Sequence, residues 1–168
     1  PEAGFGSITF DGSIFLNQAL LKTLRLSVEE IDIYIEKARK GLLERTKKFV
    51  TVMKGGLLAR IGDKVVILVD DGLASGYTML ASVESIKKRK PKKIIVAVPT
   101  GSISAIRLVS PRVDRLVCLN ARSEHNFAVA DAYREWYDVP EEEALEMIKK
   151  LDVARNQSES KSSLERHS

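Results

Sequence analysis

Two adjacent carboxylates, Asp70 and Asp71, close the apolar run Val65-Val66-Ile67-Leu68-Val69 and are followed by Gly72-Leu73-Ala74-Ser75-Gly76-Tyr77-Thr78. The unbroken, β-branched run reads as a strand covered on both faces, central in a parallel sheet. In such a sheet ligands bind outside the carboxyl ends of the strands, which is where the acidic pair lies. Small, flexible residues then open a helix, where free backbone N–H groups and the positive end of the dipole favour a phosphate. Gly76 lets the backbone come close, and the hydroxyls of Ser75 and Thr78 can donate to phosphate oxygens. Two carboxylates beside such a cradle would repel a second phosphate in the absence of a metal, but they suit vicinal sugar hydroxyls as hydrogen-bond acceptors. The segment asks for a sugar phosphate.

Competing readings explain less. A plain strand-to-helix turn would place two like charges side by side at a cost that only a ligand offsets. A response-regulator receiver also closes its first strand with an acidic pair, but no later strand here ends in a lone Asp, and no Lys ends the strand that follows. No G-x-G-x-x-G and no Gly-Lys-Ser/Thr follows Val69, so neither the dinucleotide nor the triphosphate cradle is written in this chain.

The elements that must hold this segment follow from periodicity. Ile8-Thr9-Phe10 and Ser13-Ile14-Phe15-Leu16 flank Asp11-Gly12, a pair suited to a tight turn, which predicts an antiparallel arm. Ser27 and Glu30 form a capping-box pattern, and Val28, Ile31, Ile35, Ala38 and Leu42 then recur at helical spacing, predicting a helix from about Ser27 to Lys48. Gly55-Gly56 and Gly62-Asp63 mark turns. Thr78 to about Lys90 reads as a helix stopped by Pro91, and Ile94-Ile95-Val96-Ala97-Val98 as the next buried strand, making a right-handed βαβ unit with parallel strands. A short helix from about Ser102 to Val109, a strand at Arg115 to Leu119 and a helix from about Pro140 to Leu151 complete the domain. The last of these carries Glu141, Glu142 and Glu143 in its first turn and Lys149 and Lys150 in its last, as the helix dipole prefers. One domain is expected over residues 1–151, with residues 152–168, polar and charged with little to bury, as a disordered tail.

Composition narrows the partners. The 168 residues include 27 Lys and Arg against 23 Asp and Glu, a net charge of +4 that suits a polyanionic small molecule. The basic runs Lys87-Lys88-Arg89-Lys90 and Lys92-Lys93 lack interleaved aromatics, so nucleic acid is not expected as a partner. Neither a membrane span nor a secretory signal is written in the sequence, and a cytoplasmic location without membrane association is expected. The single cysteine, Cys118, reads as a small core hydrophobe; the two histidines, His125 and His167, are too far apart to build a metal site. No metal is expected to be held by the protein alone. Pro99-Thr100-Gly101-Ser102 ends another strand and opens a helix beside the same pocket, and Phe127, Trp136 and Tyr137 offer flat rings that either cover the core or stack on a base.

The succession of apolar strand, Asp70-Asp71, two variable residues, Ala74, Ser75-Gly76, Tyr77 and Thr78 resembles the phosphoribosyl-pyrophosphate signature of type I phosphoribosyltransferases. Tyr77 departs from the Gly or Ala common there, which changes a side chain and leaves backbone binding intact. Residues Ala3 to Leu16 are similar to an antiparallel arm in an uncharacterised prokaryotic branch of that family, and Phe127 to Tyr133 with Trp136-Tyr137 resembles its C-terminal end. The resemblance implies an α/β fold with a mainly parallel sheet and an N-terminal antiparallel arm. It further implies that Asp70 and Asp71, the catalytic pair, hold the ribose hydroxyls, that Ala74 to Thr78 wrap the 5-phosphate, and that Mg2+ enters bound to the pyrophosphate. Thr100, Phe127 and Trp136 are then candidates for the base pocket. The family's N-terminal core strand, Gly-rich pyrophosphate loop and Arg-Lys segment have no counterpart in this sequence, which leaves two classes open. One is a phosphoribosyltransferase acting on a nucleobase with release of pyrophosphate; the other is a regulatory or binding protein that keeps the phosphoribosyl-pyrophosphate or nucleotide site without turnover. A homo-oligomer is expected, because a sheet lacking that part leaves an open edge and apolar surface.

Overall fold

The computed structural model of the chain describes residues 5–9, 11–52, 61–123 and 127–151. Its first element pair is the expected antiparallel arm, β1 (Gly6–Ile8) and β2 (Ile14–Leu16), registered Gly6 to Leu16 and Ile8 to Ile14. The first strand lies two residues earlier than expected and the second starts one residue later, because the connection closes on itself. The Thr9 hydroxyl donates to the Asp11 carboxylate, Thr9 N–H donates to Ser13 O at 2.9 Å, and Gly12 takes φ 82°. Phe10 lies outside the described residues.

Helix α1 (Gln18–Leu24) carries no apolar stripe long enough to announce itself. It is set by its ends: the Asn17 side chain accepts from Leu20 N–H at 3.1 Å, and Arg25 stops it in a left-handed conformation at φ 53°. Helix α2 (Val28–Val52) begins with the expected capping box, Glu30 N–H donating to Ser27 Oγ at 3.2 Å and Ser27 N–H to Glu30 Oε2 at 2.8 Å. Ile31, Ile35 and Leu42 are half-buried along its inner stripe, while Val28 and Ala38 are exposed.

The sheet is parallel, as expected, with strand order β3 (Val65–Val69), β4 (Lys93–Ser102), β5 (Arg115–Arg122). Helix α3 (Tyr77–Lys87) makes the crossover from β3 to β4, and helix α4 (Ile103–Val109) with a 3-10 turn at Ser110–Arg112 leads from β4 to β5. Helix α3 ends three residues before the expected limit because Lys90 turns left-handed at φ 53° ahead of Pro91. Both later strands run further than their apolar stretches, β4 to Ser102 and β5 to Arg122, because the register Thr100 to Asn120 and Ser102 to Arg122 pairs their polar ends.

Among the described residues β4, not β3, is the central strand, and β3 forms an edge with Val65, Ile67 and Val69 exposed at 51%, 60% and 74%. An unbroken apolar run records that both faces are built to be covered, but it carries no information on which neighbours lie alongside. The opposite face is covered: Val66 and Leu68 join Ile94, Val96 and Val98 of β4 and Leu116 and Cys118 of β5 against Met79, Val83 and Ile86 of α3 and Ala105 and Val109 of α4. Cys118 packs half-buried against this core as a small apolar side chain. Burying each of the larger of these side chains contributes roughly 1.5–3 kcal/mol, so this one layer anchors the carboxyl ends of the strands.

A second 3-10 turn (Val129–Ala132) follows β5, and α5 (residues 141–151) closes the described chain. Helix α5 is tied to α2 by Glu141, which meets Lys48 Nζ at 2.5 Å and Arg45 Nε at 3.8 Å. No helix among the described residues is long and apolar enough to cross a membrane. The tail at residues 152–168, His125 and the Gly55-Gly56 turn lie outside the described residues.

Candidate sugar-phosphate site

At the end of β3 the backbone leaves the sheet and then returns to it. Leu73 rejoins β4 through a parallel bridge to Gly101, with Leu73 N–H donating to Thr100 O at 3.0 Å and Ser102 N–H donating to Leu73 O at 2.8 Å. Asp70, Asp71 and Gly72 therefore form a short excursion fixed at both ends. The excursion keeps both acids exposed, while Gly72 and Leu73 beneath them are buried.

The acids interact with each other. Asp71 N–H donates to Asp70 Oδ1 at 3.1 Å. Although Asp70 is exposed as a residue, surrounding protein shields its carboxylate enough to raise its pKa above the ordinary aspartate value, and the neighbouring charge of Asp71 raises it further. A group that donates hydrogen bonds or carries positive charge would relieve that repulsion.

Beyond Leu73 the loop is held from below. Ser102 Oγ donates to Ala74 O at 2.7 Å while accepting from Ala105 N–H at 3.0 Å, so one hydroxyl both caps α4 and fixes the turn. Gly76 precedes α3 at φ 78°, a conformation that a side chain would strain. A Cβ there would also sit 3.0 Å from Ala105 Cβ, tighter than ordinary packing. No side chain of the described residues caps α3 at Gly76, and its first helical bond runs from Leu80 N–H to Gly76 O at 2.9 Å. The N–H groups ahead of Leu80 lie at an uncapped helix start, where an anion is favoured. Tyr77, not Thr78, is the first helical residue; Ser75 is half-buried and Thr78 exposed.

The structure brings the nine residues from Asp70 to Thr78 into one crest over β3, β4 and α4. It places the three base-pocket candidates differently. Thr100 lies directly under Gly72, but its side chain is 1% exposed and its hydroxyl donates to Asn120 O at 3.1 Å. Phe127 is half-buried with the Arg122 guanidinium 5.9 Å from its ring centre. Trp136 is 39% exposed and meets Tyr133 edge-on at 5.1 Å.

Three residues outside the segment from Asp70 to Thr78 join the crest. Ser102 holds Ala74, Val129 packs over Gly72, and the Tyr133 hydroxyl donates to Asp71 O at 2.6 Å. Ser102 had a signal in the serine opening α4. Tyr133 lies in the Phe127 to Tyr133 run that carries the C-terminal resemblance, but nothing in that run ties its hydroxyl to Asp71. Among the described residues no group of three acidic, histidine or cysteine side chains could hold a metal ion.

Residues 11–134 match the phosphoribosyl transferase domain. The chain is 27% identical over 148 residues to a Mycobacterium tuberculosis protein named "Putative phosphoribosyl transferase", covering 88% of this chain and 32% of that protein. The chain thus spans about a third of the length of that curated relative. A uracil phosphoribosyltransferase of Mycoplasma genitalium is 45% identical over 58 residues, 32% of this chain and 28% of its own. The fold is similar to the crystal structure of TT1426 from Thermus thermophilus, with a TM-score of 0.65 and 25% identity over 89% of this chain and 69% of that one. The acid-ended strand, the glycine turn and the matched domain agree, and the chain belongs to the type I phosphoribosyltransferase family.

Proposed function

We propose that the crest binds 5-phosphoribosyl 1-pyrophosphate and serves transfer of its phosphoribosyl group to a nucleobase. The observation that carries this reading is the pairing of exposed acids on Asp70 and Asp71 with an uncapped α3 start at Gly76. The acids accept from the 2- and 3-hydroxyls of the ribose, and backbone N–H groups over Ala74 to Thr78 hold the 5-phosphate. This division of labour removes the conflict between a carboxylate pair and an anion, because the sugar ring separates them.

In the reaction a ring nitrogen of the base displaces pyrophosphate from the anomeric carbon: a C–N bond forms, the C–O bond to pyrophosphate breaks, and its electron pair leaves with the pyrophosphate. Positive charge grows on the ribose as that bond lengthens. Asp70 and Asp71 orient the ring through its hydroxyls and favour that charge. Mg2+ would be brought by the pyrophosphate and, as a Lewis acid, would ease its departure. The exposed carboxylates of Asp70 and Asp71 are hard oxygen donors that such an ion would tolerate nearby, while the pyrophosphate and not the protein would hold it. Trp136, exposed beside the Tyr133 that touches Asp71, is best placed to stack on the base, with Phe127 a second candidate ring and Thr100 contributing backbone shape. The exposed β3 face is assigned to self-association into a homo-oligomer.

The test is a release assay. Protein, phosphoribosyl pyrophosphate and Mg2+ are incubated with a panel of purines and pyrimidines, and pyrophosphate is measured. Base-dependent release supports the transferase reading. Tight binding without release under every base supports a regulatory nucleotide-binding role, and absence of binding removes both.

A further inference from the structure

The excursion from Asp70 to Gly72 is pinned from one side by the segment after β5. Its 3-10 turn sets Val129, 5% exposed, so close over Gly72 that a Cβ on that glycine would lie 2.7 and 2.8 Å from the two Val129 methyls. Just past that turn stands Tyr133, and the ring of Trp136 meets it at 5.1 Å and 61° and so fixes the direction of the phenol. The Tyr133 hydroxyl ends 2.6 Å from Asp71 O. Partial burial, then the charges of Asp71 and Asp70, hold this phenol above its ordinary pKa, so it stays a donor at neutral pH.

We propose that Tyr133 is a positioning residue, which through its hydrogen bond to the Asp71 carbonyl sets the direction in which the acidic pair presents its carboxylates to a sugar. Asp71 lies in a segment outside the sheet ladder, and any shift of its backbone carries with it the Cα from which the carboxylate side chain springs. A bond from a ring that is itself braced removes that freedom before ligand arrives, the form of preorganisation that raises affinity without a new ligand contact. The phosphate loop gains nothing from this bond, since Ala74 is held separately by Ser102. The inference rests on the reading that the pair holds ribose hydroxyls.

Tyr133→Phe tests it, because phenylalanine keeps the ring and its contact with Trp136 while removing the donor. Calorimetric titrations of wild type and variant are run with ribose 5-phosphate and, separately, with inorganic phosphate. The expected result is a loss of about fivefold or more in affinity for ribose 5-phosphate, the scale of one hydrogen bond, with phosphate affinity and thermal midpoint unchanged. If wild type prefers ribose 5-phosphate to phosphate and the variant keeps that preference in full, the positioning role is wrong and the sugar site stands. Parallel weakening for both ligands, or a fall of many degrees in Tm, makes Tyr133 a structural residue and overturns the proposal. A wild type that shows no preference for the sugar ester removes the sugar reading, and the proposal falls with it.

Discussion

Asp70, proposed to hold a ribose hydroxyl, carries a cost in the free protein. Its pKa is raised by burial first and by Asp71 second, so the folded state binds its proton more tightly than the unfolded chain, whose aspartates titrate near about 3.9. Stability therefore falls as pH rises from the unfolded value through the folded one, and the loss persists at neutral pH. Asp70→Asn is expected to raise the thermal midpoint at pH 7, to show little gain near pH 3, and to weaken ribose 5-phosphate binding. Calorimetric unfolding across that range checks the first two; a lower midpoint for the variant at pH 7 would contradict them. Asp11 behaves in the opposite sense. Lys88 Nζ, 2.7 Å away, and then the Thr9 hydroxyl hold its carboxyl below the usual carboxylate range. Its contribution is present above the unfolded value and is lost as pH falls, so Asp11→Asn should lower the midpoint at pH 7 and lose that deficit in strong acid. The pair is exposed enough that less than about 1 kcal/mol is at stake.

Between elements, the decisive contact is the loop after β3 against the 3-10 turn after β5. Gly72→Ala would drive a methyl into Val129 and should destabilise by roughly 1–3 kcal/mol in denaturant unfolding. Val129→Ala in the same chain opens the space and should recover a large part of that loss, a coupling that additive costs would exclude. This contact also marks where sequence reading stops. The crest itself was legible because acids ending an apolar run and a glycine opening a helix are local patterns. The βαβ unit, the parallel pairing of β3 with β4 and the capping box of α2 were legible for the same reason. Tyr133 meets Asp71 across 62 residues and Val129 meets Gly72 across a similar span, and no short-range pattern encodes such pairs. Helix α1 was missed because its ends, not its periodicity, define it.

At the scale of the molecule, the sheet has one covered face and, among the described residues, one open face. Val65, Ile67 and Val69 on β3 and Leu119 on β5, the last 82% exposed, leave apolar surface that water disfavours. The position of β3 as an edge was not readable from its composition, since the same residues would serve in the middle of a wider sheet. Self-association through this face predicts a weight-average mass that rises with concentration in sedimentation, and a shift toward monomer in a Val65→Thr, Ile67→Thr variant. A wild type that stays monomeric throughout would remove that assignment while leaving the crest at the carboxyl ends of the strands untouched. The crest is what the functional account depends on, and diffraction from crystals soaked in ribose 5-phosphate tests it most directly. The ester phosphate is expected against the backbone of Ala74 to Thr78 and the ring hydroxyls on Asp70 and Asp71; sugar phosphate bound elsewhere, or no density at this loop under saturating soak, would overturn that placement.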